Sequence, residues 1–286
     1  MSRSKSGMEG KVCVVTGATD GIGLATAEGL ARLGARVLAV GRNAEKGRNV
    51  VARLQRETGN PDVFFLQADL SSQSQVRALA QKLLDEYVKL QVLVNNVGGF
   101  FLWRSLTEDG IESTFALNHL NVFLLTGLLL DRLKASASAR IVNVASESHR
   151  HAQLDLDRLI ARRWGSAMKA YGQSKLAMIL FTYELARRLS PSGITVNAVH
   201  PGFVASNMYR SSGGLVRLAE PYAKLAGKPP QEGADTVIYL ASSSEVEGVT
   251  GKYFVNRHPF RSSPATYDEL TARRLWELSA QMVGLP

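Results

Sequence analysis

The chain has 286 residues, 45% hydrophobic and 21% charged, which is enough apolar material for a buried core and excludes collagen-like and low-complexity sequence. Its 34 basic and 25 acidic residues leave a net charge of +9, but the basic residues fall in short groups such as Arg187-Arg188 and Arg273-Arg274. They lack the run that a nucleic-acid patch needs, so no nucleic-acid partner is expected. The single cysteine, Cys13, excludes an internal disulfide and a multi-cysteine zinc site and fits a reducing compartment.

In chain order, Met1 to Gly10 is polar, too short for a signal peptide, and expected to be loosely ordered. Short runs rich in β-branched residues then alternate with longer segments of helical period. Strands are predicted at Val12 to Thr16, Arg36 to Val40, Val63 to Leu66, Gln91 to Asn95, Arg140 to Val144 and Thr195 to Val199, with Gly251 to Val255 as a last edge. Helices are predicted at Ile22 to Leu33, Ala44 to Thr58, Ser74 to Lys89, Gly110 to Ala135, Ala167 to Leu189 and Pro230 to Ser242. Strands that are apolar at nearly every position must be buried on both faces, as in a parallel sheet covered by helices. The alternation therefore predicts one α/β domain over 11–286, a doubly wound parallel sheet.

Two stretches interrupt the pattern, 149–166 and 208–228, and both leave from the carboxyl edge of the sheet, where open parallel sheets bind ligands. They are expected to form a substrate rim. The tail, 262–286, reads as a helical extension from Tyr267 to Met282. No apolar stretch of membrane-spanning length is expected, so the chain reads as cytoplasmic with no integral membrane segment.

The first strand ends in Thr16-Gly17-Ala18-Thr19-Asp20-Gly21-Ile22-Gly23, directly before a helix. Glycines there allow a tight turn and close approach of a diphosphate to the positive end of the helix. At the end of the second strand, where a carboxylate would bind the 2′-hydroxyl of NAD, stand Gly41-Arg42-Asn43. An arginine can pair with a 2′-phosphate, so Arg42 favours NADP(H) over NAD(H); the alternative is a surface residue opening the next helix. Asp69, followed by Leu70, either accepts from the adenine amine or caps the next helix. In Asn95-Asn96-Val97-Gly98-Gly99 the glycines let the chain pass under a ribose, or the segment is an ordinary asparagine turn.

Tyr171 and Lys175 are four apart at the head of a helix and share a face. A nearby ammonium favours the phenolate, which makes a usable general acid and base. Ser146, at the end of the fifth strand, comes to the same edge. His149, His151, Asp155 and Asp157 have no spacing that matches a zinc or calcium site, and His119 reads as a packed histidine. Phe100, Phe101 and Trp103 are either core or an apolar substrate wall.

Together these residues resemble the short-chain dehydrogenase/reductase superfamily in its TGxxxGxG and YxxxK branch. Thr16-Gly17 through Gly23, Asn95 to Gly98, Asn118, Ser146, Tyr171 with Lys175, and Pro201-Gly202 occur in family order. Leu117-Asn118-His119-Leu120, the run Ser174 to Leu189, and Val199-His200-Pro201-Gly202 are similar to the retinol dehydrogenase-like group.

The resemblance implies a Rossmann fold and a carbonyl–alcohol oxidoreductase. Tyr171 would move the proton, Ser146 would hold the carbonyl oxygen, and Lys175 would tune Tyr171 and hold the nicotinamide ribose. Asn118 would anchor a relay water. The cofactor set would be Gly17, Asp20, Gly21, Ile22, Gly23, Arg42, Asp69, Leu70, Asn95, Val97, Gly98, Tyr171, Lys175, Pro201, Gly202, Val204 and Ser206. Departures are Val97 in place of the usual alanine, Ala145 where a second serine is common, and a separation of 25 positions between Ser146 and Tyr171. The resemblance also implies a homodimer or homotetramer acting on a small-molecule carbonyl or alcohol; the insertions, with Phe100, Phe101, Trp103 and Leu215 to Leu225, suggest a fairly apolar substrate of moderate size. A silent NADP(H)-binding sensor or assembly protein of the same fold is the alternative.

Overall fold

In the computed structural model, which describes residues 7–103, 105–136, 138–160, 166–204 and 227–286, the apolar runs form strands. They are β1 (Val12–Thr16), β2 (Arg36–Gly41), β3 (Val63–Gln67), β4 (Val92–Asn95), β5 (Arg140–Val144), β6 (Thr195–His200), β7 (Tyr253–Val255) and β8 (His258–Pro259). Their order across the sheet is β3-β2-β1-β4-β5-β6-β7-β8. The first seven pair in parallel, and β8 is antiparallel to β7. This is the doubly wound Rossmann arrangement, with strand order reversing between β1 and β4.

The eighth strand is absent from the sequence reading. It is made by a tight turn in which Asn256 and Arg257 take φ of +48° and +65°. Such turns normally announce themselves through glycine. Here the Arg257 guanidinium is instead held by the Asp235 carboxylate.

Helices α1 (Gly21–Arg32), α2 (Ala44–Thr58), α3 (Gln73–Glu86), α4 (Ser113–Phe115), α5 (Asn121–Lys134), α6 (Leu156–Ile160), α7 (Ala167–Arg188), α8 (Pro230–Ser242) and α9 (Glu269–Val283) connect and cover the sheet. Alternate strand residues feed two cores. Val14, Leu38, Leu93 and Ile141 join α3, α5, α7 and α9 on one face. Val15, Val37, Val94 and Val142 join α1 and α8 on the other. The C-terminal extension is part of the first core: Trp276 of α9 stacks on Phe181 of α7 at 5.8 Å.

Two expectations need correcting. Met8 lies within the segment expected to be loosely ordered, yet is 1% exposed and packed in the second core. One segment does have membrane-spanning length and hydropathy: α4, the π-helical turn Ala116–Leu120 and α5 run on from Ser113 to Lys134. Within its most apolar window, 78% is buried inside the protein, as suits a core helix.

Beneath the carboxyl edge a buried line of polar side chains crosses the sheet. Asn95 Nδ2 donates to Thr126 Oγ1 at 3.1 Å and to Asn143 Oδ1 at 2.9 Å. Asn143 Nδ2 donates to Thr182 Oγ1 at 2.9 Å, joining β4, α5, β5 and α7.

Candidate active site

Thr16 closes β1 and organises the turn that follows. Its Oγ1 accepts from the backbone N–H of Asn96 and of Val97, both at 3.0 Å. Asn96 Nδ2 donates to Thr16 O at 2.8 Å. Gly17 and Gly21 take φ of +65° and +53°, a region that favours glycine. At Gly23 a Cβ would stand 2.3 Å from both Asn96 Nδ2 and Gly17 O, so only glycine lets α1 begin this close to the turn. Asp20 caps α1 by accepting from Gly21 N at 2.8 Å, and its other oxygen lies 2.6 Å from Lys46 Nζ. The first-turn N–H groups of Ile22 and Gly23 have no intrahelical partner and sit at the positive helix end. A bare backbone of this kind fits a diphosphate.

At the end of β2, Arg42 is exposed, and among the described residues no ion pair holds it. No carboxylate occupies Gly41-Arg42-Asn43, which suits a 2′-phosphate. Asp69 Oδ1 accepts from Ser71 N at 2.9 Å and Ser71 Oγ at 2.7 Å. The cap of α3 is Ser72, accepting from Gln75 N, so the helix-capping alternative for Asp69 falls away. Leu70 is buried, and its carbonyl accepts from Asn121 Nδ2.

Asn95 points inward to the buried polar line, where its Nδ2 makes both of its bonds. The neighbouring Asn96, which the sequence reading left out of the site, instead shapes the glycine turn.

Past β6, Pro201 O, Val204 Cγ2 and Ile22 Cγ1 all crowd the place where a Cβ on Gly233 of α8 would be, at 3.5, 2.5 and 3.2 Å. That glycine brings the Pro201–Val204 loop against the α1 turn, with Gly202 at φ +84°. The sequence signal for Gly233 is only an isolated glycine in a helical pattern. Ser206 and most of the 208–228 stretch lie outside the described residues, as do 161–165 of the other insertion.

The other end of the candidate site is built from β4, β5, the π-helical turn and α7. Lys175 is buried, and its Nζ donates to Val144 O at 3.0 Å, two residues before Ser146. The same Nζ lies 5.8 Å from the centre of the Tyr171 ring, one helical turn away. Burial lowers the Lys175 pKa to about 8.

Asn118 Oδ1 accepts from Gly99 N at 2.8 Å, while its Nδ2 donates to Gly99 O at 3.0 Å and to Ser174 Oγ at 2.9 Å. Ser174, outside the predicted site set, lies beside Lys175 and ties α7 to Asn118. A Cβ on Gly98 would stand 3.3 Å from both Asn118 Oδ1 and Lys175 Nζ, so the β4 loop, the π turn and α7 meet at that point. Val97 packs against the first core.

Ser146 follows β5 in an extended conformation, φ −158° and ψ 153°, and among the described residues its Oγ reaches only Ser148, at 3.2 Å from Oγ and 3.3 Å from N. The Tyr171 ring meets Phe100 edge-on at 5.7 Å. His119, next to Asn118, is a packed residue: burial pushes its pKa down to about 3, and Nε2 lies 2.8 Å from Ser279 Oγ of α9.

The short chain dehydrogenase family model matches residues 11–213. Human polyprenol dehydrogenase is 43% identical over 285 residues, covering 96% of this chain and 86% of that protein. Human retinol dehydrogenase 14 is 42% identical over 295 residues, covering 97% and 88%. Among solved structures, the Pseudomonas aeruginosa RhlG/NADP active-site complex superposes with a TM-score of 0.68 at 31% identity, covering 88% of this chain and 96% of that one. The chain belongs to the short chain dehydrogenase family, in its retinol dehydrogenase-like group.

Proposed function

We propose that the protein is an NADP(H)-dependent oxidoreductase that interconverts a carbonyl and an alcohol. NADP(H), when bound, supplies or takes the hydride. The Gly17–Gly23 turn and the α1 N-terminus hold the diphosphate, Arg42 meets the 2′-phosphate, and Asp69 faces the adenine. Pro201, Gly202 and Val204 would line the nicotinamide side, and the resemblance adds Ser206, which lies outside the described residues. Solved relatives bound to NADP, at 31% and 29% identity, support this choice of cofactor.

Tyr171 gives a proton to the carbonyl oxygen during reduction and takes it back during oxidation. The Ser146 hydroxyl, held only loosely by Ser148, turns to donate to that oxygen. A Lys175 ammonium beside the phenol favours the phenolate. Asn118, already bonded across to the Gly99 backbone, anchors the water that links Lys175 to solvent. The observation that carries this reading is the meeting of Gly98, Asn118 and Lys175 at one point, one turn from Tyr171.

The substrate is a small organic molecule of fairly apolar character. Leu102, Trp103 and Phe203 follow the strands at this edge, Met168 opens α7, and all four are exposed. The protein acts in the cytoplasm as a homodimer or homotetramer. NADPH consumption against a panel of aldehydes and ketones tests the proposal. Tyr171→Phe should lower kcat by about 10²–10⁴-fold, the scale of a lost general acid, and leave NADPH binding intact. Absence of any tyrosine-dependent turnover would point instead to a silent cofactor-binding protein.

A further inference from the structure

His149 is a buried titratable group beside Ser146 that the proposed chemistry does not use. It is 0% exposed. Its Nδ1 lies 2.7 Å from the carbonyl oxygen of Ser146, and its Nε2 lies 3.1 Å from the backbone nitrogen of Ser263 in the C-terminal extension. A backbone N–H can only donate, so Nε2 is the acceptor and carries no proton. The proton is therefore on Nδ1 and is donated to Ser146 O. The ring edge also rests on Tyr253 at 5.1 Å.

We propose that His149 is a positioning residue for Ser146, fixing the backbone that carries the hydroxyl and anchoring it to the C-terminal segment; this rests on the reading of Ser146 as the group that holds the carbonyl oxygen. Ser146 stands at the junction of β5 and the 3-10 turn Glu147–His151, where among the described residues its own side chain has only Ser148 to hold it. The bond from His149 sets the orientation of that junction.

The anchor on the far side is firm. Arg150 donates to Arg261 O at 2.7 Å and lies over the Phe260 ring, and Tyr183 of α7 meets Ser262 Oγ at 2.8 Å. One stretch, Phe260 to Ser263, thus grips both the turn behind Ser146 and the helix that carries Tyr171 and Lys175. The charged and titratable groups around the imidazole are Glu147, Arg150 and His151 on its own turn, His200 on β6 and Tyr253 on β7. Burial holds His149 below the ordinary histidine value, which keeps the neutral form that this bonding needs.

Nitrogen NMR of the full chain at neutral pH should show His149 as the Nδ1–H tautomer; the opposite tautomer or an imidazolium overturns the proposal with or without a substrate in hand. In turnover with NADPH and the best carbonyl of the panel, His149→Phe fills the ring volume but donates nothing. It should lower kcat by about 10–100-fold, the scale of a misplaced reacting group, with NADPH Kd changed by less than about twofold. His149→Asn restores an N–H toward Ser146 O and should stay within about threefold of wild-type kcat.

Ser263→Pro removes the N–H that Nε2 accepts, together with a buried Oγ that has no hydrogen-bond partner among the described residues, at a position whose φ of −66° already suits proline. It should lower kcat several-fold at unchanged NADPH Kd, and it decides the matter if His149→Phe does not fold. Wild-type kcat in both His149→Phe and Ser263→Pro overturns the proposal, as does a parallel loss of kcat and NADPH binding in His149→Phe and His149→Asn alike. Ser146→Ala separates the two ideas. If it retains wild-type turnover, the role of Ser146 fails and this proposal with it; if it loses turnover while His149→Phe does not, only this proposal fails.

Discussion

At the ends of β1, β2 and β4 the surface offered to a ligand is mostly backbone, with Gly17 and Gly21 at positive φ and Gly23 jammed against Asn96 and Gly17. At β5 and α7 it is mostly side chain: Lys175 Nζ donates to Val144 O, Ser146 Oγ accepts from Ser148 N, and the Tyr171 ring meets Phe100 edge-on. The first region tolerates no added atom but demands little chemistry of its residues. The second tolerates changes of volume better than changes of proton or charge. Substitutions in the two regions should therefore fail in different ways.

On the backbone side the largest effect should come from Gly23→Ala. Its Cβ would fall 2.3 Å from a backbone oxygen that cannot move without opening the turn. Overpacking of this sort costs about 3 kcal/mol, so NADPH binding by fluorescence titration should weaken about 100-fold. A variant that kept its affinity and lost kcat would erase the distinction between the regions.

Next in size is the pH response carried by Lys175. Its folded pKa of about 8 lies below the unfolded value of 10.5, so between these values the folded chain has already released a proton that the unfolded chain still binds. Stability from this group therefore rises with pH across that window and is lost as pH falls through about 8. From about pH 7.5 to 9.5 the gain is about 2 kcal/mol, and the difference between wild type and Lys175→Met in denaturant melts should show it. A flat difference would mean that the ammonium is not desolvated in the fold.

The smallest expected effect is at Arg42, which is exposed and screened. Arg42→Ala should weaken NADPH by about 1–2 kcal/mol and leave NADH nearly unchanged. Equal losses for both cofactors would place the selection elsewhere on the backbone side.

The parallel strands were readable in the sequence because burial on both faces leaves runs with almost no polar residue, and the glycine turn was readable because its spacing is local. What could not be read depends on partners distant in the chain. Asn95 and Asn96 are equivalent as letters, yet one reaches Asn143 and Thr126 inside the sheet while the other holds the turn. Asp69 and Ser72 compete for one helix start, and the register of α3 decides for Ser72. Gly233 matters only because Ile22, Pro201 and Val204 converge on it from two other parts of the chain.

The Asn95–Asn143–Thr182 line has a mechanical consequence. Sliding β4 past β5 by a single position would turn these amides to the opposite face and strand their polar atoms in hydrocarbon, which makes the pairing effectively all-or-none. The sheet under the reacting groups thus behaves as a fixed anvil.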